Sequence, residues 1–76
     1  MPSTLDLHGK TREEAVSALD SFLNDAILAG LADVRVIHGR SGGRVKAAVH
    51  ARLKETASIA RYRVDPLNPG VTIVTL

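Results

Sequence analysis

The chain is 76 residues long, enough for one small domain and no second core. It has no cysteine and only Phe22 and Tyr62 as aromatics. That excludes disulfides, thiolate metal sites and cysteine nucleophiles, and leaves a thin core of Ala, Val and Leu. Net charge is only +2, but residues 34–64 hold Arg35, Arg40, Arg44, Lys46, Arg52, Lys54, Arg61 and Arg63 against Glu55 alone, a one-sided block that suits a polyanion.

The longest apolar run, Ala26 to Ala32, is broken by Gly30 and is too short to cross a bilayer. The N-terminus lacks the basic-then-apolar layout of a signal peptide. A reducing, cytoplasmic setting is the expectation, with no membrane partner.

Residues 3–8 read as the first strand, with Leu5 and Leu7 on one side and Thr4, Asp6 and His8 on the other. Gly9 ends it. Thr11-Arg12-Glu13-Glu14 is a capping box that opens a helix. Ala15, Val16, Leu19, Phe22, Leu23, Ala26 and Ile27 follow helical spacing, and Gly30 is a natural stop.

Residues 33–38 form a second strand, which also ends in His-Gly, at His38-Gly39. A strand–helix–strand unit of this length implies parallel pairing through a right-handed crossover. His8 and His38 then sit on the same sheet edge, at strand carboxyl ends, where open α/β sheets place ligands. The loop Gly39-Arg40-Ser41-Gly42-Gly43 leads into a second helix from about Arg44 to Thr56, with Val45, Val49 and Leu53 as its apolar stripe. His50, mid-helix beside Arg52, is expected on the surface. Residues 59–65 and 71–76 read as two further strands. The breaker-rich turn 65–70 between them makes an antiparallel pair. The order is βαβαββ: an α/β fold, specifically an α+β two-layer sandwich, with two helices on one face of a four-stranded mixed sheet.

Small residues at a strand-to-helix turn let backbone N–H groups approach a phosphate, and the helix dipole favours the anion. Gly39, Ser41 and Gly43 fit that role, supported by Arg40, Arg44 and Lys46. The loop has neither the Walker nor the dinucleotide spacing. Asp6 either orients a histidine, holds a metal or acts as a base, or it caps the amides of Gly9, Lys10 or Thr11. His8 and His38 titrate near neutrality and so can move protons. Asp6, His8 and His38 offer three metal ligands, without a second carboxylate to complete a two-metal site. With Tyr62 the only aromatic in the basic half, nucleic acid would be read by backbone and shape.

Leu5-Asp6-Leu7-His8-Gly9, followed by His38-Gly39-x-x-x-Gly43, resembles the Smr (small MutS-related) domain, a family marked by an LDLH motif and an HGxGxG motif on a βαβαββ sandwich. The resemblance covers essentially the whole chain, through the closing Gly70-Val71-Thr72-Ile73-Val74. Ser41 stands where the family's middle glycine would, and Lys46 where an arginine is frequent.

The resemblance implies an endonuclease that nicks DNA or cleaves RNA. The family also occurs at the C-terminus of the bacterial MutS paralogue of the second type, linked to suppressing recombination and rescuing collided ribosomes. Residues 1–76 would then be a single domain of a longer chain, whose ATPase and clamp regions supply substrate selection and dimerisation.

On that reading Asp6 and His8 orient or activate the attacking group. His38 is the partner acid or base, or a phosphate ligand. The Gly39–Gly43 amides with Arg40, Arg44 and Lys46 stabilise transition-state charge. RNA brings its own nucleophile and needs no metal, whereas DNA nicking would gain from Mg²⁺ or Mn²⁺. Branched or nicked DNA, RNA and the ribosome are the expected partners. The alternative is a binding module that docks on branched DNA or ribosomal RNA without cutting.

Overall fold

The structure, a computed structural model, describes residues 1–40 and 43–76. Six elements follow in the expected order: β1 (Thr4–Asp6), α1 (Arg12–Leu28), β2 (Asp33–Ile37), α2 (Arg44–Glu55), β3 (Arg61–Asp65) and β4 (Asn68–Thr75). They form one four-stranded sheet in the order β1-β2-β4-β3. β1 and β2 run parallel, and β4 is antiparallel to both of its neighbours.

Local chemistry sets the boundaries. The Thr11 hydroxyl accepts from the Glu14 amide at 3.1 Å, and the Glu14 carboxylate accepts from the Thr11 amide at 2.9 Å. These two bonds satisfy donors that the first turn of α1 leaves open. At its other end α1 passes through Ala29 to Gly30, whose φ is 75°. β4 begins three residues earlier than the turn chemistry suggested, because Asn68 already pairs with Asp65 across a bulged register. Pro66 and Leu67 alone make the hairpin tip.

Pleat parity decides what faces what. Leu5, Leu7, Val34, Val36 and Val74 join Ala15, Leu19, Phe22, Leu23 and Ala26 of α1 and Val49 and Leu53 of α2 in one cluster. Both helices therefore cover the same sheet face. The alternate positions face the other way: Asp6 aligns with Ile37, and Ile37 with Val71, while Arg35 aligns with Ile73, and Ile73 with Arg63. Within the helical layer the two helices are tied together, where Arg52 of α2 grips Asp20 of α1 through two bonds of 2.9 and 2.8 Å.

Candidate active site

Asp6, His8, Ile37, Gly39, Arg40, Asn68 and Gly70 line a cleft of about 300 Å³ at the carboxyl edge of β1 and β2. Asp6 Oδ1 accepts the amide of His8 at 2.9 Å. That bond turns the chain at the strand end, and the turn closes with Lys10 N–H donating to Leu7 at 3.1 Å. The sequence offered Asp6 as a cap for Gly9, Lys10 or Thr11. The structure corrects this: the start of α1 belongs to Thr11 and Glu14, and Asp6 braces only His8. Both Asp6 and His8 are exposed, and the second carboxylate oxygen accepts no hydrogen bond among the described residues.

The floor of the cleft is a close backbone approach. The amides of His38 and Gly39 both donate to the Gly70 carbonyl, at 2.9 and 3.1 Å. A Cβ on Gly70 would stand 3.2 Å from the Gly39 carbonyl carbon and 3.1 Å from Arg40 Cγ, tighter than ordinary van der Waals contact. The Arg40 guanidinium rests on Asn68 Oδ1 through two long bonds of 3.4 Å. Such bonds are weak, so a phosphate can displace them.

His38 reaches the same edge but the opposite face. Its ring lies on the helix side, 6% exposed. Nδ1 meets the Gly39 carbonyl at 3.1 Å and Nε2 meets Thr72 Oγ1 at 2.8 Å. Burial lowers its pKa, and Lys46 adds to that, against the Gly39 carbonyl, which raises it. Parity separates the pieces: Asp6 and His8 look out from the open face, while His38 looks in.

His50 is a correction. It does not sit on the surface. Its Nε2 lies 2.7 Å from the same Thr72 Oγ1, and its ring packs edge-on against His38 and Tyr62, at centroid distances of 5.9 and 5.1 Å. Burial lowers its pKa too, followed by the charges of His38, Lys46 and Lys54. The signal was available in part, since His50 borders the Val49–Leu53 stripe. Thr72 was not singled out, because its partners depend on the β2–β4 register, in which it sits opposite Val36.

The basic block is one run in sequence and several surfaces in space. Arg35 is paired with the nearly buried Asp65 at 2.7 Å, and Arg52 with Asp20 at 2.8 Å. Arg61 and Arg63 are exposed on the open face. Arg44 instead lines clefts between the starts of the two helices, together with Lys10 and Arg12 from outside the block. Gly43 is the N-cap of α2, and Lys46 is half-buried. Ser41 lies outside the described residues. Among the described residues no three His, Asp or Glu side chains converge as a metal-ligand set, and no helix is long and apolar enough to cross a membrane.

A family model for the Smr domain matches residues 5–76. The endonuclease MutS2 of Agathobacter rectalis is 43% identical over 76 residues, which is 96% of this chain and 10% of that protein. The endonuclease MutS2 of Lachnoclostridium phytofermentans is 47% identical over 73 residues, 92% of this chain and 9% of that protein. The chain thus spans about a tenth of the length of the curated relatives it matches. The crystal structure of the Smr domain of Thermus thermophilus MutS2 superposes with a TM-score of 0.94 at 29% identity, over 96% of this chain and 95% of that one. YdaL, a stand-alone small MutS-related protein from Escherichia coli, superposes with a TM-score of 0.92 at 25% identity, over 97% of this chain and 63% of that one.

Proposed function

Because the chain belongs to the Smr domain family, we propose that it is a structure-selective, sequence-tolerant endonuclease domain that nicks branched DNA or cleaves RNA. The observation that carries this is the exposed cleft in which Asp6, His8 and Arg40 meet over the Gly39–Gly70 floor. A carboxylate, an imidazole and a guanidinium are the groups that phosphodiester cleavage asks for: a proton acceptor, a proton donor and a counter-charge. The longer relatives, endonucleases MutS2, agree with it.

In this scheme Arg40 holds the scissile phosphate. Asp6 takes the proton of the attacking oxygen, which is the 2′-hydroxyl on RNA or water on DNA. His8 returns a proton to the departing oxygen as the phosphorus–oxygen bond breaks. Arg44 and Lys46, with Ser41, Gly43 and the α2 N-terminus, extend the grip along the strand. His38, with both ring nitrogens engaged inside the fold, acts on the cleft through Gly39. Among the described residues the cleft offers Mg²⁺ or Mn²⁺ no more than the Asp6 carboxylate and the His8 imidazole, and no step here runs through a metal. Action on chromosomal or ribosomal nucleic acid would call for a cytoplasmic protein. The rest of a longer chain would choose among branched DNA, RNA and the ribosome.

The test compares Asp6→Ala and His8→Ala with the parent, on DNA and RNA side by side, with and without Mg²⁺ or Mn²⁺. Cleavage is expected to fall by roughly 10²–10⁴-fold, the range for losing a general acid or base, while binding changes little. If the rigorously purified parent binds both polymers and cuts neither, the domain is a non-catalytic docking module instead.

A further inference from the structure

The hydrogen bonds around Thr72 admit a single polarity. A threonine hydroxyl has one proton to give and two lone pairs to receive. His38 Nε2 and His50 Nε2 both lie within 2.8 Å of that oxygen, so one proton cannot serve both rings. The far side of His38 decides which ring receives it. Its Nδ1 faces the Gly39 carbonyl at 3.1 Å, and a carbonyl only accepts. Nδ1 therefore carries the hydrogen, and Nε2 of the neutral ring is an acceptor. The order follows: His50 Nε2–H donates to Thr72, Thr72 O–H donates to His38 Nε2, and His38 Nδ1–H donates to Gly39 O. The opposite order would require a doubly protonated, buried His38 beside Lys46, which desolvation opposes.

The chain of bonds ends on one peptide plane. With the Gly39 carbonyl drawn inward to His38, the next amide of a trans peptide points the other way, and the chain has no cis peptide bonds among its described residues. That amide belongs to Arg40, which lines the cleft with Asp6 and His8. Among the described residues the Arg40 N–H has no hydrogen-bond partner. Gly39 makes the arrangement possible with a φ of 85°, a conformation other residues enter at a cost.

We infer that His50 and Thr72 are positioning residues which, through His38, hold the Gly39–Arg40 peptide so that the Arg40 backbone N–H donates to a substrate phosphate oxygen. The inference rests on the nucleic-acid reading above and needs no cleavage. It makes Arg40 a two-part phosphate ligand: a guanidinium that moves and an amide that does not. The amide is preset, so it loses little freedom when the phosphate arrives.

Nitrogen-15 spectra of the histidine rings at pH 8 test the polarity directly. His38 is expected as the Nδ1–H tautomer and His50 as the Nε2–H tautomer. Finding the hydrogen of His38 on Nε2 overturns the inference without any substitution. Titration with inorganic phosphate, then with a short RNA and a DNA of equal length, is expected to shift the Arg40 amide proton downfield.

Thr72→Val should abolish that shift and weaken oligonucleotide binding by about 10–100-fold, the range for one hydrogen bond to a charged group. Thr72→Ser keeps the hydroxyl and His50→Gln keeps an N–H donor, and both should restore the shift. If Thr72→Val fails to fold, His50→Phe breaks the first link alone and should weaken the phosphate-induced shift of the Arg40 amide while His38 stays the Nδ1–H tautomer; an unchanged shift there overturns the inference as well. An Arg40 amide that ignores phosphate in the parent, or responds equally in Thr72→Val, sinks the inference. A domain that binds through Arg40 but never cuts would overturn the nuclease reading and leave this one standing.

Discussion

At the residue scale, a buried and a half-buried imidazole make the domain sensitive to mild acid. His38 and His50 have pKa values below their ordinary 6.5, mainly because burial disfavours the charged ring. Lys46 lies near both, and Lys54 near His50. The unfolded chain therefore binds protons first as pH falls. Stability is full above 6.5 and is lost as pH drops from there through the lowered folded values. Glu14 and Asp65 act further down. Both carboxyls are held below the usual range, Glu14 chiefly by the Thr11 amide and Asp65 chiefly by the Leu67 amide and then by Arg35. Their contribution is present above about pH 4.5 and fades below it. Thermal midpoints measured from pH 8 to pH 3 should fall in two stages. A flat profile between pH 7 and 5.5 would show that the imidazoles do not couple to folding.

The same residues show what sequence reading can reach. Asp6, His8, Gly39 and Arg40 were legible, because strand ends and a glycine loop announce an edge. Which side of the sheet each residue faced followed only from the register, and one position of parity separates Asp6 from His38. His50 looked like a surface residue because a charged neighbour, Arg52, stood beside it. In fact Arg52 turns outward to Asp20, leaving His50 to face the sheet.

At the scale of elements, the capping box of α1 was readable at once, since both of its bonds are local. Replacing Thr11 by Ala should lower stability by about 1 kcal/mol, seen as a lower urea midpoint at unchanged slope. The start of α2 is of another kind. Gly43 has no side chain to offer its amides, so the first turn of α2 remains available to an anion while that of α1 is satisfied from within. The hairpin boundary misled for a physical reason. Pro69 and Gly70 read as turn residues, yet both lie inside β4, and Gly70 is there because Gly39 passes so close. Gly70→Ala should push on Gly39 and Arg40 and weaken oligonucleotide binding more than it weakens the fold; the two are separated by comparing Kd with the urea midpoint.

For the whole molecule, the apolar layer is small and few residues fill it. Leu19 is fully buried at its centre, so Leu19→Ala should cost about 2–5 kcal/mol. That is comparable to the entire stability expected of a chain this short, and calorimetry should find little cooperative unfolding left. Binding is a property of the whole surface as well. If phosphate contacts dominate, the logarithm of the binding constant should fall linearly with the logarithm of salt concentration, and Arg40→Ala, Arg44→Ala and Lys46→Ala should each reduce the slope by about one contact. Arg52→Ala, whose charge is engaged by Asp20, should leave the slope nearly unchanged. The charge block of the sequence thus overstated the basic surface by the arginines that brace the fold.

The sheet order β1-β2-β4-β3 puts the last strand of the domain in the middle. β2 and β3 never touch as neighbours; each meets the other only through β4. While a ribosome is still translating residues 68–75, β1 and β2 can pair with each other, but β3 has no neighbour and Val74 is missing from the core. Closing the sheet must wait for residues 68–75, so the domain is completed late, when β4 bridges β2 and β3. A clip or premature stop just before Asn68 would leave β3 unpaired and bare the edge of β2 to proteases and chaperones.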